Sequence, residues 1–231
     1  MDLSPRNVVA LLILGGVLVF AVSQRAQNAA LAGPPPDGAR YRVDGGSGGA
    51  GTIELKRELR DATFTFAPQT LASDRELILA AVATSRPEAR KLVEIVDGLV
   101  DISVGDPGGG NAGLTMIGGT RYPVTLNMAG TWQSGTQRAI NRLVMHELAH
   151  VLDAALFTDA FLAPLVAAVP KGWGCDGGIS GACAEDPERF AESFAKWATG
   201  DIGVDVYLGY SVPPPEPSLE SWGRPLAGWN G

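Results

Sequence analysis

The sequence predicts an α+β domain in which a small mixed sheet packs on one long helix, preceded by an N-terminal hydrophobic helix. Three observations predict it. Short apolar/polar alternations between Thr52 and Met128 interleave with two helical stretches, a sustained helical period follows Ser134, and one uncharged run stands near the start of the chain.

The chain has 231 residues, enough for one domain with a real core. It carries 25 Asp and Glu against 18 Lys and Arg, a formal charge of -7. An acidic balance of this kind offers no basic face to nucleic acid or to anionic lipid, so no nucleic-acid partner is expected.

Residues 7–23 (NVVALLILGGVLVFAVS) contain no charge and are flanked by Arg6 and Arg25. The run is longer than the roughly 7–15 residues of a signal-peptide core and slightly shorter than the roughly 20 of a spanning helix. Residues 1–32 are therefore read as a signal anchor or a signal peptide, with Ala21 and Ser23, or Ala30 and Ala32, as candidate cleavage-site residues. The protein is expected to be membrane-anchored through this segment with an extracytoplasmic domain, or secreted. Residues 33–51 are a Gly/Pro-rich linker that cannot bury enough apolar surface to offset its ordering entropy.

A folded domain is expected over residues 52–212. Residues 52–59 (TIELKREL) and 62–67 (ATFTFA) alternate as half-buried strands do. Ser73 with Glu76 forms a capping box that opens a helix, and helical periodicity runs through 76–84 and again through 87–97. Strand-like runs follow at 100–104, 114–117 and 123–128. The Gly-rich GDPGGGNAG between the first two lacks the Lys-Ser/Thr ending of a phosphate loop and reads as a flexible hairpin or surface loop. Residues 213–231 form a Pro-rich tail expected outside the core.

The informative stretch opens at Ser134, which with Gln137 can cap a helix carrying Ile140, Leu143, Val144, Leu148, Val151, Leu152 and Ala155 at helical spacing. Beside that stripe lies His146-Glu147-Leu148-Ala149-His150. A spacing of four puts both imidazoles on one side of the helix, one turn apart, able to bind one metal ion together. Glu147 is placed to accept the proton of a water activated by the metal and pass it to a leaving amine. The chain has only two histidines, and both fall inside this motif.

Two histidines leave a catalytic zinc site one protein ligand short. The metzincin pattern, with a further His six residues after His150, is excluded because Leu156 stands there. The remaining candidates are carboxylates, chiefly those of residues 185–197, where Pro187 suits a first helical turn and Phe190, Phe194 and Trp197 form an apolar stripe. Glu188 and Glu192 then lie one turn apart on one face.

HELAHVLD followed about forty residues later by PERFAESF resembles the gluzincin-type HExxH zinc metallopeptidases, especially the branch of the anthrax lethal factor catalytic domain and its bacterial relatives. The resemblance covers mainly these two helices. It implies a zincin-like fold, a Zn2+ cofactor, a peptide or protein substrate, Glu188 as third ligand and Glu192 as hydrogen-bond partner of a ligand histidine. It also implies a supporting role for Asp153, and a strand above the active-site helix that binds substrate as an added strand, for which residues 123–128 are the nearest candidate, their other reading being an internal strand with no substrate contact. Geometry favours Glu188 over Asp153 as well, since a separate helix can approach the metal from another side and leave one tetrahedral corner open. Related enzymes use a Tyr shortly before the third ligand, but none occurs between Tyr122 and Tyr207, so Tyr207 and Tyr210 are the remaining candidates for stabilising an oxyanion.

Cys175 and Cys183, behind an export signal, suggest a disulfide that staples the segment before Glu188. The non-enzymatic alternatives are an inactive zincin fold serving as a binding protein, and a structural zinc site built from His146, His150, Cys175 and Cys183. The seven residues between the cysteines exceed the usual two to four, and the site would leave Glu147, Glu188 and Glu192 without a role.

Overall fold

A four-stranded mixed sheet lies against a group of helices in this α+β chain, and one 29-residue helix connects the two parts. The structure is a computed structural model and describes residues 63–172, 184–202 and 212–230, without the side chains of 133–136. In chain order the elements are β1 (Thr65–Phe66), α1 (Ala72–Ala83), α2 (Pro87–Val96), a 3-10 turn (Asp97–Leu99) and β2 (Val100–Val104). They continue with β3 (Gly113–Thr115), β4 (Tyr122–Leu126), α3 (Met128–Leu156), α4 (Asp159–Ala167), α5 (Asp186–Thr199) and α6 (Leu219–Ala227).

The strand order is β1-β2-β4-β3, with β1, β2 and β4 parallel and β3 antiparallel to β4. Alternation along the parallel strands sends Val100, Ile102, Val124 and Leu126 into the core. Of residues 123–128, readable as a substrate-binding strand or equally as an internal one, 123–126 belong to β4, which is bonded to β2 on one side and β3 on the other and so is internal, while Asn127 and Met128 open the next helix. The edge on this side belongs to β3, and β1 is the opposite edge. Asn127 N donates to Ala112 O and Met116 N to Pro123 O, so the even-numbered residues of this stretch bond to β4, and the main-chain groups of Gly113 and Thr115 point to the other side.

Helix α3 packs on α1, α5 and the β3–β4 edge. Its apolar residues Ile140, Leu143, Val144, Leu148, Val151 and Leu152 are all buried, as their spacing requires. The helix begins earlier than the sequence predicts. Asn127 is its N-cap, accepting from Gly130 N at 3.0 Å, and Ser134 lies inside the helix. Glycines 130 and 135 lower local propensity and hide this first turn, which burial of Met128 and Thr131 stabilises. Helix α1 likewise starts at Ala72 with Leu71 as an N-cap that makes no side-chain bond, so the expected Ser73–Glu76 capping box does not open it.

Helix α4 has no counterpart in the sequence reading, because Pro164 signals a break. Burial of Leu162, Leu165 and Val166 outweighs that signal. The tail is also corrected: residues 219–227 are helix α6, with Leu219, Trp222 and Leu226 buried. Trp222 Nε1 donates to Leu165 O at 2.9 Å, and a β-carbon on Gly223 would lie 1.9 Å from Trp197 Nε1, so α6 sits directly on α5. Arg86 ties the same corner: its N donates to Ala198 O, its guanidinium lies over the Trp197 ring, and its side chain pairs with Glu220.

Residues 7–23, the linker 33–51 and the expected strand 52–59 lie outside the described residues. Among the described residues no helix is long and apolar enough to cross a membrane.

Candidate metal centre

Helix α3 presents His146, Glu147 and His150 on its buried side, at 7%, 4% and 8% exposure. The two rings are nearly perpendicular, and His146 Nε2 lies 3.3 Å from His150 Nε2. Helix α5 delivers Glu188 to the same point. Pro187 lies in its first turn, where a missing N–H costs nothing, and Glu188 follows where the helix dipole favours a carboxylate. Glu188 Oε2 is 3.2 Å from His146 Nε2, and Glu188 Oε1 is 3.5 Å from His150 Nε2. One ligand atom from each of His146, His150 and Glu188 lies within 4.8 Å of the others, a group that could hold a metal ion.

Behind His146 stands Glu192, one turn beyond Glu188 on α5. Its Oε2 lies 3.4 Å from His146 Nδ1, and both atoms are buried and make no hydrogen bond among the described residues, so each is the nearest available partner of the other. Its Oε1 accepts from Arg142 and from Lys196, whose side chains are fully buried. A proton on His146 Nδ1, aimed at Glu192, leaves Nε2 as the lone-pair nitrogen facing His150 and Glu188. Two imidazoles and one carboxylate are the donor set of a catalytic zinc site with its fourth position open, so the residues present fit that ion.

Glu147 faces the sheet edge. Thr115 Oγ1 donates to its Oε2 at 2.7 Å and also lies 3.1 Å from its main-chain oxygen. Gly113 allows the strand to come this close, because a β-carbon there would lie 2.2 Å from Glu147 Oε1.

Burial opposes charge on each of these groups, and neighbours decide the outcome. At His146 burial works against the charged ring, but the hydrogen bond and charge of Glu188 outweigh it and the pKa is raised. His150 is lowered to about 4 by burial and by His146. Burial would raise Glu188, but the hydrogen bond from His146 and the charges of both rings bring it down to about 2. Glu147 is raised chiefly by burial, against the opposing effects of His146 and Thr115. The shifts together favour a charged His146 ring beside a charged Glu188 carboxylate, with His150 neutral.

Of the residues singled out in the sequence, His146, Glu147, His150, Glu188 and Glu192 come together. Asp153, half-buried on α3 one turn past His150, is not in the converging group of three. Cys175, Cys183, Tyr207 and Tyr210 lie outside the described residues. Sequence reasoning missed Gly113, Thr115, Arg142 and Lys196. The available signal for two of them was spacing: Arg142 precedes His146 by four residues and Lys196 follows Glu192 by four, so each charge lies on the stripe of a site residue.

No protein-family model matches this chain, and no curated protein or solved structure matches it either.

Proposed function

We propose that this chain is an extracytoplasmic zinc metallopeptidase of the gluzincin-like HExxH type, hydrolysing a peptide bond with Glu147 as general base. The observation that carries the reading is the convergence of His146, His150 and Glu188 from two helices, with the buried carboxylate of Glu147 next to the first ligand. These three residues would hold the Zn2+ ion. When bound, zinc supplies a Lewis acid that polarises a carbonyl and brings the pKa of water toward about 7.

The chain's own residues supply the rest. Glu147 takes a proton from the attacking water and returns it to the leaving nitrogen, and burial raises its pKa above the ordinary carboxylate value, the direction that strengthens it as a base. The hydrogen bond from Thr115 to Oε2 holds the carboxylate in place for that exchange. Glu192 keeps His146 in the ligand tautomer.

A zincin-like fold agrees with the antiparallel strand β3 at the sheet edge above the HExxH helix and with a glutamate-bearing helix packed against it. An extended peptide would add to the open side of β3, bonding to the main chain of Gly113 and Thr115. Leu114, Met116 and Ile117 are exposed there to contact its side chains. The extracytoplasmic placement rests on the uncharged run at residues 7–23 and the cysteine pair.

The reading is tested by incubating the purified full chain with a mixed peptide library, with and without a chelator. Cleavage that stops with the chelator and returns with zinc is expected. Undiminished cleavage in the chelator, or none by the zinc-loaded protein, would reject it.

A further inference from the structure

We infer that Arg142 is a positioning residue of the metal centre, which fixes the Glu192 carboxylate so that Glu192 in turn fixes the ring of His146. The inference rests on the metal-site reading given above. Arg142 lies on α3 one turn before His146, so both side chains emerge on the same side of the helix and meet α5. Its side chain has no solvent exposure.

A guanidinium cannot give up its charge, so a buried one requires a carboxylate partner. Glu192 provides it, but Glu192 also accepts from Lys196 at the same oxygen. Two cations on one carboxylate exceed what neutralisation requires. Lys196, lowered to about 6 by burial and by the charge of Arg142, can shed its own proton, which leaves Arg142 as the permanent charge. A buried ion pair is moreover weak support for stability, since well-packed apolar groups do as well or better.

What the arrangement does accomplish is orientation. With Oε1 pinned from two directions, Oε2 is the oxygen left to face His146 Nδ1 at 3.4 Å. Without Arg142 the carboxylate would turn toward Lys196 alone, and His146 Nδ1 would lose the one carboxylate oxygen that stands within 3.4 Å of it to take up its proton when the ring binds a metal. Arg142 thus acts through Glu192 and touches neither the metal nor the substrate.

The test is zinc affinity, measured on the full chain by competition with a chelator of known affinity. The proteins compared are the wild type, Arg142→Met, Arg142→Lys, Glu192→Gln and the double variant Arg142→Met/Glu192→Gln. Arg142→Met is expected to weaken zinc binding by roughly the 10–100-fold typical of losing a partner behind a ligand. Arg142→Lys, which keeps the charge but loses the fork, should lose less. In the Glu192→Gln background, Arg142→Met should change affinity by no more than about twofold, the scatter seen between uncoupled sites.

Wild-type affinity in Arg142→Met, or an equal loss in both backgrounds, would overturn the inference. If Arg142→Met does not fold, Arg142→Lys decides, and wild-type affinity in that variant would assign Arg142 to stability alone. A wild-type chain that binds no zinc fails at the metal site itself and removes this inference with it, a result visible before any variant is compared.

Discussion

Gly113 and Glu147 are in such close approach that a β-carbon on the glycine would lie 2.2 Å from Oε1 of the glutamate and 2.6 Å from its carboxyl carbon. The edge strand therefore acts as a wall against which the carboxylate is set, and Thr115, on the same face of the strand, holds it there at 2.7 Å.

Gly113→Ala must push the Glu147 carboxylate aside, while His146, His150 and Glu188 keep their places. A displacement of about 1 Å at a reacting group costs on the order of 10²-fold in rate. Peptide cleavage should fall by about that factor with zinc content unchanged, as read by turnover and metal analysis of the same preparation. An unchanged turnover would show that the carboxylate does its work elsewhere.

Glu188→Ala should lose zinc far more than Asp153→Ala, because Glu188 stands 3.2 Å and 3.5 Å from the two histidines and Asp153 is not in that group. Asp153→Ala is expected to weaken affinity by no more than about 10–100-fold. Metal content of the two folded variants decides between them, and full zinc in Glu188→Ala would remove it from the ligand set.

The part of the site within one helix is the part a sequence spells out, because helical spacing alone sets His146 beside His150 and Glu188 beside Glu192. Strand β2 and the apolar stripe of α5 were legible for the same reason of short-range periodicity. That Glu188 would meet the two histidines was expected from the resemblance and from the need for a third ligand, but the other contacts between elements were not. That Thr115 would meet Glu147, 32 residues away, depends on the register of β3 with β4, and that Arg142 would meet Glu192, 50 residues away, depends on how α3 and α5 pack. The start of α3 and the whole of α4 and α6 were hidden because Gly130, Pro164 and the Pro-rich stretch before Leu219 give local signals that tertiary burial overrides. In α6 a local pattern was present, with Leu219, Trp222 and Leu226 at helical spacing behind Ser218, and the prolines before it led to its being read as tail.

Lys196 titrates at about 6 in the folded protein against an ordinary 10.5, lowered by burial and by Arg142 with Asp201 in partial opposition. Between those two values the unfolded chain binds more protons than the folded one, so stability rises with pH across this window. The contribution of one group is at most about 1.4 kcal/mol per pH unit. Lys196→Met should flatten that rise in denaturant unfolding followed from pH 6 to pH 10. The same slope in both proteins would mean that Lys196 keeps its proton when buried.

Trp222 is 3% exposed, close to the ring of Phe190, and hydrogen-bonded to Leu165 O. Trp222→Ala should cost about 3–5 kcal/mol, the usual range for a buried aromatic cut back to alanine. Chemical denaturation gives the value. A cost under about 1 kcal/mol, typical of a surface position, would detach α6 from the fold.

The central claim is tested most directly by Glu147→Gln, compared with the wild type for zinc content and for cleavage of the mixed peptide library. The account predicts about one zinc per chain in both proteins, and cleavage by the variant lower by at least the roughly 10²–10⁴-fold of general acid–base catalysis. Cleavage by Glu147→Gln at the wild-type rate, with zinc in place, would contradict it.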